Sequence, residues 1–280
     1  MKTKTGSIIA IIILSLLACG LIFATYIGIK YIPLSSFPGI SFGLTSQRLA
    51  LDKEFKLEDA KTINVRTDAS DIKFLKATED NDGVNVKIFA SEDRVVRAEK
   101  DNEKLDVTVE GSCQGFCLGF NSSRVEITLP EEYEGNIIIH TSTGDIESAN
   151  FSRASYEIDV DAGDIDIPAA KNLKVVSNVG DLVLGTIENI TIETNVGDIK
   201  INECYNELHI KTRTGDVDIN ELQLSKNSDI KGEIGDITIR NTGNVFIDAH
   251  TNIGDTKIRN NTKSDIELKI ETHTGDIETN

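Results

Sequence analysis

Eight times between residue 144 and the final residue the chain writes Gly-Asp, at Gly144-Asp145, Gly163-Asp164, Gly180-Asp181, Gly197-Asp198, Gly215-Asp216, Gly235-Asp236, Gly254-Asp255 and Gly275-Asp276. The glycines are spaced by 19, 17, 17, 18, 20, 19 and 21 residues. A period of this length in a Val/Ile/Thr-rich background marks a chain that coils into stacked rungs, each burying its apolar face against its neighbours. Such a stack offers a surface or a strut rather than a pocket.

Around Gly197 the pattern is explicit. Ile190, Ile192, Thr194 and Val196 alternate with Thr191, Glu193 and Asn195, a half-buried strand of period two. The apolar set resumes at Ile199 and Ile201, three residues beyond Val196, so the alternation changes phase at Gly-Asp and the chain turns a corner there. The same register returns with Leu208, Ile210, Thr212, Thr214, Val217 and Ile219, and again with Leu268, Ile270, Thr272, Thr274 and Ile277. Glycine accepts the positive φ of a tight corner, and Asp bonds readily to nearby backbone N–H groups. Three residues before the glycine stand Thr141, Ser177, Thr194, Thr212, Thr251 and Thr272, hydroxyls expected to point inward and bond along a column. Ile63, Val65, Thr67 and Ala69, then Ser70-Asp71, Ile72 and Phe74 fit the same frame with serine for glycine, and read as a first rung set apart by an insertion.

Ahead of the repeat, Ile8 to Ile29 are 22 positions without a charge, long enough to cross a bilayer as a helix. Lys2 and Lys4 precede it and no acidic residue appears before Asp52, which favours an inside N-terminus and an outside bulk. A cleaved signal peptide is one alternative; Leu16-Leu17-Ala18-Cys19, a lipoprotein-like box with Cys19 lipidated, is another, though the apolar run continues past it. The organisation expected is a cytoplasmic N-terminus and anchor over residues 1–30, a stalk over 31–50 marked by Pro33, Pro38, Gly39 and Gly43, a first rung and strand-rich cap over 51–135 with a turn at Asn81-Asp82-Gly83, and the repeat solenoid over 136–280. The fold class is all-β, a β-solenoid of parallel β-helix-like rungs. The last rung ends the chain at Asn280 with nothing after it, so Ile266, Leu268, Ile270 and Ile277 are expected to form an open apolar end suited to self-association.

Outside the first 30 residues, 26 basic residues face 46 acidic ones, a net of −20, which opposes nucleic-acid binding. Only 5% of residues are aromatic and there is no Trp, as a thin aliphatic core requires. The eight aspartates should stack about 4.8 Å apart, the spacing of strands, and repel by roughly 0.9 kcal/mol per neighbour in a water-like dielectric. Backbone N–H groups or cations must compensate; one carboxylate per rung is poor for calcium unless Asn178, Asn195 or Asn252 contribute, so no metal is assigned. Cys113 and Cys117 lie in one small loop and read first as a disulfide outside the cytoplasm, with a thiol metal site or free thiols as alternatives; Cys204 falls between rungs without a partner. His140, His209, His250 and His273 occupy outward phases of different rungs, and no catalytic or nucleotide-binding motif is present, so no catalytic residue and no cofactor is assigned.

With its rungs aligned, the chain resembles the bacterial putative-adhesin family, a domain of unknown function built from G-D-[IV] rungs, and is similar in particular to its LiaG-like membrane-anchored members. The resemblance rests on Gly144-Asp145-Ile, Gly180-Asp181-Leu, Gly197-Asp198-Ile and Gly215-Asp216-Val, and on the strand Val125-Glu126-Ile127-Thr128-Leu129-Pro130. It covers about residues 50 to 280. It implies a solenoid at the cell envelope that binds, adheres or scaffolds, with a link to envelope stress, and it transfers no catalytic residues. Envelope proteins or polysaccharide are the partners it suggests. Two other readings stand beside it: a carbohydrate-active β-helix enzyme using clustered carboxylates, and a bactofilin-like polymer of stacked ends.

Overall fold

The computed structural model describes residues 47–78, 83–111, 123–259 and 261–280. The apolar run Ile8 to Ile29, Cys19, Cys113, Cys117 and most of the turn at Asn81-Asp82 lie outside them. In chain order the strands are β1 (Arg48–Lys56), β2 (Thr62–Lys76), β3 (Gly83–Ala90), β4 (Arg94–Asp101), β5 (Lys104–Gly111), β6 (Ser123–Leu129), β7 (Asn136–Thr143), β8 (Ile146–Ser148) and β9 (Ser155–Ala162). The long strands β10 (Ile165–Val179), β11 (Leu182–Val196) and β12 (Ile199–Thr214) follow. Then come β13 (Val217–Leu222), β14 (Ser228–Ile234), β15 (Ile237–Asn241), β16 (Phe246–Ile253), β17 (Thr256–Ile258), β18 (Glu267–Thr274) and β19 (Ile277–Thr279). No helix among these residues is long and apolar enough to cross a membrane.

From β7 onward each rung contributes one parallel strand before its Gly-Asp corner and one after it. Registers step by whole rungs: Ile192 pairs with Ile210 and Val175, and Ile199 with Leu182 and Val217. Because equivalent residues stack directly, one inward position makes one aliphatic file, and Ile139, Ile158, Val175, Ile192, Ile210, Ile230 and Ile270 are all buried. The all-β expectation holds. β1 starts at Arg48, so the strand begins three residues before the end of the segment read as a stalk.

The order of rungs departs from the sequence at both ends. The Ser70 rung is not outermost: β2 pairs on one side with β7 and β8 and on the other with β5 and β6. Beyond β5 and β6 the stack is closed by antiparallel strands, β4 on β5, β3 on β6 and β1 on β3, with Lys53 Nζ reaching across to the carbonyl of Ala98 at 2.9 Å. At the other end the final rung is penultimate. β18 pairs with both β14 and β16, and β19 with both β15 and β17, so the Gly275 rung lies between the Gly235 and Gly254 rungs.

The expected open apolar layer is therefore covered: Leu268, Ile270 and Ile277 are at most 1% exposed, and Ile266 packs against the core. The physical reason lies in the inward residues. Where other rungs carry Ile, Val or Leu, the Gly254 rung has Ala249 and Thr256, the weakest apolar set of the series, and it takes the place where only one side is covered. Thr279 against Ile258 runs the other way, and is outweighed by the two Ile positions.

Candidate functional site: the Gly-Asp corner and its flanking columns

Every repeat glycine has φ between 136° and 153°. A Cβ at Gly197 would stand 2.0 Å from the carbonyl oxygen of Gly180, and the other repeat glycines meet the corresponding carbonyl of the neighbouring rung at similar distances. The corner thus needs glycine twice over, for its backbone angle and for the approach of the next rung. Ser70 escapes this requirement, since its φ is not positive.

Three hydrogen bonds join each corner to the next. At the step from Gly180 to Gly197, the Gly180 N–H donates to Val196 O at 3.0 Å and the Leu182 N–H to Asp198 O at 2.9 Å. In return the Asp198 N–H donates to Asp181 Oδ1 at 2.9 Å. The same side-chain bond runs from Asp145 N–H to Asp71, then through Asp164, Asp181, Asp198, Asp216, Asp236 and Asp276 to Asp255, at 2.8 to 3.3 Å. Each carboxylate accepts the N–H of the next aspartate, so the compensation that the repelling column requires comes from the neighbouring rung's backbone. A carboxylate-to-amide bond is among the stronger kinds.

The hydroxyl column behaves unevenly. Thr67 and Thr141 share a bond of 2.8 Å, and Thr251 donates to Gly275 O at 2.9 Å. Ser177, Thr194 and Thr212 are buried, and their hydroxyls have no partner among the described residues. The expected bonding along the whole column is absent at these three positions.

Sequence reasoning missed the polar ladders on the outer face. Asn172 donates to Ser155, Asn189 to Asn172 and Asn206 to Asn189, in a column through the middle of β10, β11 and β12. Asn195 donates to Asn178 and Asn178 to Asp161. The recurrence of Asn at 172, 189 and 206, once per rung, was the signal. Between these ladders some Lys and Glu side chains pair from one rung to the next, as in Lys174–Glu157 at 2.7 Å and Lys211–Glu193 at 2.5 Å. Such exposed pairs contribute little stability individually.

Cys204 lies within β12 rather than in a loop. It is buried, and burial pushes its thiol up to about 11, which makes it a poor nucleophile. His209 sits between Asp229, 2.5 Å from Nδ1, and Glu207, 3.2 Å from Nε2. Burial pulls its pKa down, and its hydrogen bonds to the two carboxylates more than offset this and raise it. His250 and His273 are linked through the side chain of Asn252. One concavity, an open groove of about 390 Å³ near the Ser70 rung, is lined by Arg66, Asp68, Glu110, His140, Asp159 and Asp161. Among the described residues no three His, Cys, Asp or Glu side chains are grouped to hold a metal ion.

The chain is similar to several solved structures. One described as a putative adhesin from Bacteroides fragilis is 17% identical, with a TM-score of 0.46, over 82% of this chain and 96% of that one. A putative adhesin from Parabacteroides merdae is 12% identical, TM-score 0.42, over 86% and 99%. A protein described as a putative lipid binding protein, from Parabacteroides distasonis, is 11% identical, TM-score 0.45, over 85% and 99%. No curated protein matches the chain. Residues 60–280, which hold every rung and its Gly-Asp ladder, match the family described as Toastrack DUF4097, and the chain belongs to that family.

Proposed function

We propose that this protein is a membrane-anchored, extracytoplasmic binding or scaffold module of the cell envelope, held by residues 8–29 and presenting the rung stack outward. The observation that carries the reading is the repetition of one corner environment along the whole stack. Acid–base chemistry needs two carboxylates in unlike surroundings. The ladder aspartates instead share one bonding pattern, which suits a surface that meets an extended partner at many equivalent points. A net charge of −20 beyond the first 30 residues argues for an uncharged or cationic partner, an envelope protein or polysaccharide, over nucleic acid. A bactofilin-like polymer would stack rung on rung between copies; the antiparallel strands β1, β3 and β4 leave no parallel rung edge at the first end for that.

The test is protease treatment of intact cells followed by detection of the C-terminal part. Loss of residues 47–280, with a membrane-embedded stub left behind, is expected. Full protection in intact cells, with digestion only after lysis, would overturn the reading.

A further inference from the structure

We propose that residues 267–280 are an exchangeable arm, and that the slot between the Gly235 and Gly254 rungs accepts this arm from a second copy of the chain. The arm's strands β18 and β19 are last in sequence and yet bonded on both edges. Toward the Gly235 rung, Gly235 N–H donates to Thr274 O and Ile237 N–H to Asp276 O, both at 2.9 Å, and Asp276 N–H to Asp236 Oδ1 at 2.8 Å. Toward the Gly254 rung, Gly275 N–H donates to Ile253 O and Ile277 N–H to Asp255 O, both at 2.9 Å, and Asp255 N–H to Asp276 Oδ1 at 2.8 Å. Both walls belong to the chain before the arm, so a second copy's arm would meet the same partners.

What occupies the slot is set by its shape. Leu268, Ile270 and Ile277 fill it with at most 1% exposure. If the walls closed on each other, Ala249 and Thr256 would have to take the places of Ile270 and Ile277 against the Gly235 rung, and would underfill them. An emptied slot therefore favours an arm over collapse, and the segment that fits every position is residues 267–279 of another copy.

The connection that must open is short of regular structure. The described residues between β17 and β18 form no strand. They are tied to the outermost rung by side chains and by one backbone bond, from Phe246 N–H to Ile266 O at 2.9 Å. Asn261 Nδ2 donates to Ile247 O at 3.0 Å, its Oδ1 accepts the Ile247 N–H at 2.9 Å, and Thr262 donates to Val245 O at 2.9 Å. Exchange of an identical element between protomers keeps the contacts that β18 and β19 make in the slot and needs only this connection to straighten.

The experiment uses two full-length chains with different tags, one Lys231→Cys and one Glu271→Cys, produced together. Residues 231 and 271 are register partners across the slot. A disulfide joining peptides 231 and 271 of differently tagged chains is expected by mass spectrometry. While the exchanged species is minor, its share should rise about tenfold for a tenfold rise in total protein. A single chain bearing both cysteines should link internally. If that chain links while no cross-chain disulfide forms at any concentration, the arm does not exchange and the proposal is overturned. A third chain, Lys231→Cys with His250→Cys, separates the remaining alternative: residue 250 lies one rung beyond 271. A link there would mean that the Gly254 rung closes the slot directly, which also overturns the proposal.

Discussion

Asp276 donates its backbone N–H to the carboxylate of Asp236, forty residues earlier, at 2.8 Å, and so carries the ladder past the rung that lies between them in sequence. The corner recognises the neighbouring corner and not the neighbouring residue number. Substitutions at one corner should separate its two contributions. Asp198→Asn keeps an oxygen acceptor for Asp216 N–H and removes one charge from the column, and should change stability by no more than about 1 kcal/mol. Gly197→Ala places a Cβ against Gly180 O at a positive φ, and should cost at least about 3 kcal/mol. Urea denaturation of both variants checks the ranking; a costlier Asp198→Asn would refute the corner assignment.

Neighbouring ladder charges repel, and their compensation is by amides. Added salt should therefore raise the melting temperature by screening the column. A chelator should leave it unchanged within about 2 °C. A fall of ten degrees or so, reversed by calcium, would mean that cations hold the column instead.

The unpartnered hydroxyl of Thr194 is a buried liability. Thr194→Val keeps the shape and removes the unmet polar group, so it should be neutral or stabilising by about 1 kcal/mol. A clear loss of stability by calorimetry would show that the hydroxyl is bonded.

Leu268→Ala should cost about 2–5 kcal/mol, because this layer is covered on both sides. Ile258→Ala, in the half-buried outermost rung, should cost less than half as much. For the same reason Ile270→Lys should unfold the end of the stack rather than act as a surface change. Equal costs for Leu268→Ala and Ile258→Ala would contradict the rung order.

His209 has a folded pKa raised above its ordinary value by Asp229 and Glu207. A raised histidine contributes stability that is fully present below the unfolded pKa and is lost as pH rises through the folded one. Stability should thus decline across that interval, and His209→Gln should flatten the decline. An NMR titration of the ring that gives a midpoint below the ordinary histidine range would contradict the ion-paired geometry.

The rungs were legible because the phase break at Gly-Asp is a local event, repeated eight times. Their order was not, because the motif is nearly the same in each rung and any one can dock on any other. Only Ala249 and Thr256, small or polar where the others are branched and apolar, distinguished the Gly254 rung as the outer one. At the first end the same ambiguity hid the insertion of β2 beneath β5 and β6, since the sequence between those two strands carries no Gly-Asp mark. Charge repulsion along the aspartate column called for compensation by backbone N–H groups or cations, and the N–H groups that serve belong to the next rung. The bare hydroxyls at Ser177, Thr194 and Thr212 were not legible in this way, since whether a buried oxygen finds a partner depends on side-chain rotation.

Burying the final rung beneath an earlier one also changes how the chain resists force. In a stack laid down in sequence order, a pull on the last residue would strip the end rung by breaking its bonds on one edge. Here a pull on Asn280 loads β18 and β19, which are clamped along both edges. Two rows of hydrogen bonds share that load, and the strands beneath cannot unravel until both rows fail. At the opposite end, once β1 has peeled, β2 meets traction with the same double grip. Single-molecule pulling on residues 47–280 should therefore show a high first rupture at the C-terminal end; a run of low, evenly spaced ruptures from Asn280 inward would mean that the clamp carries no load.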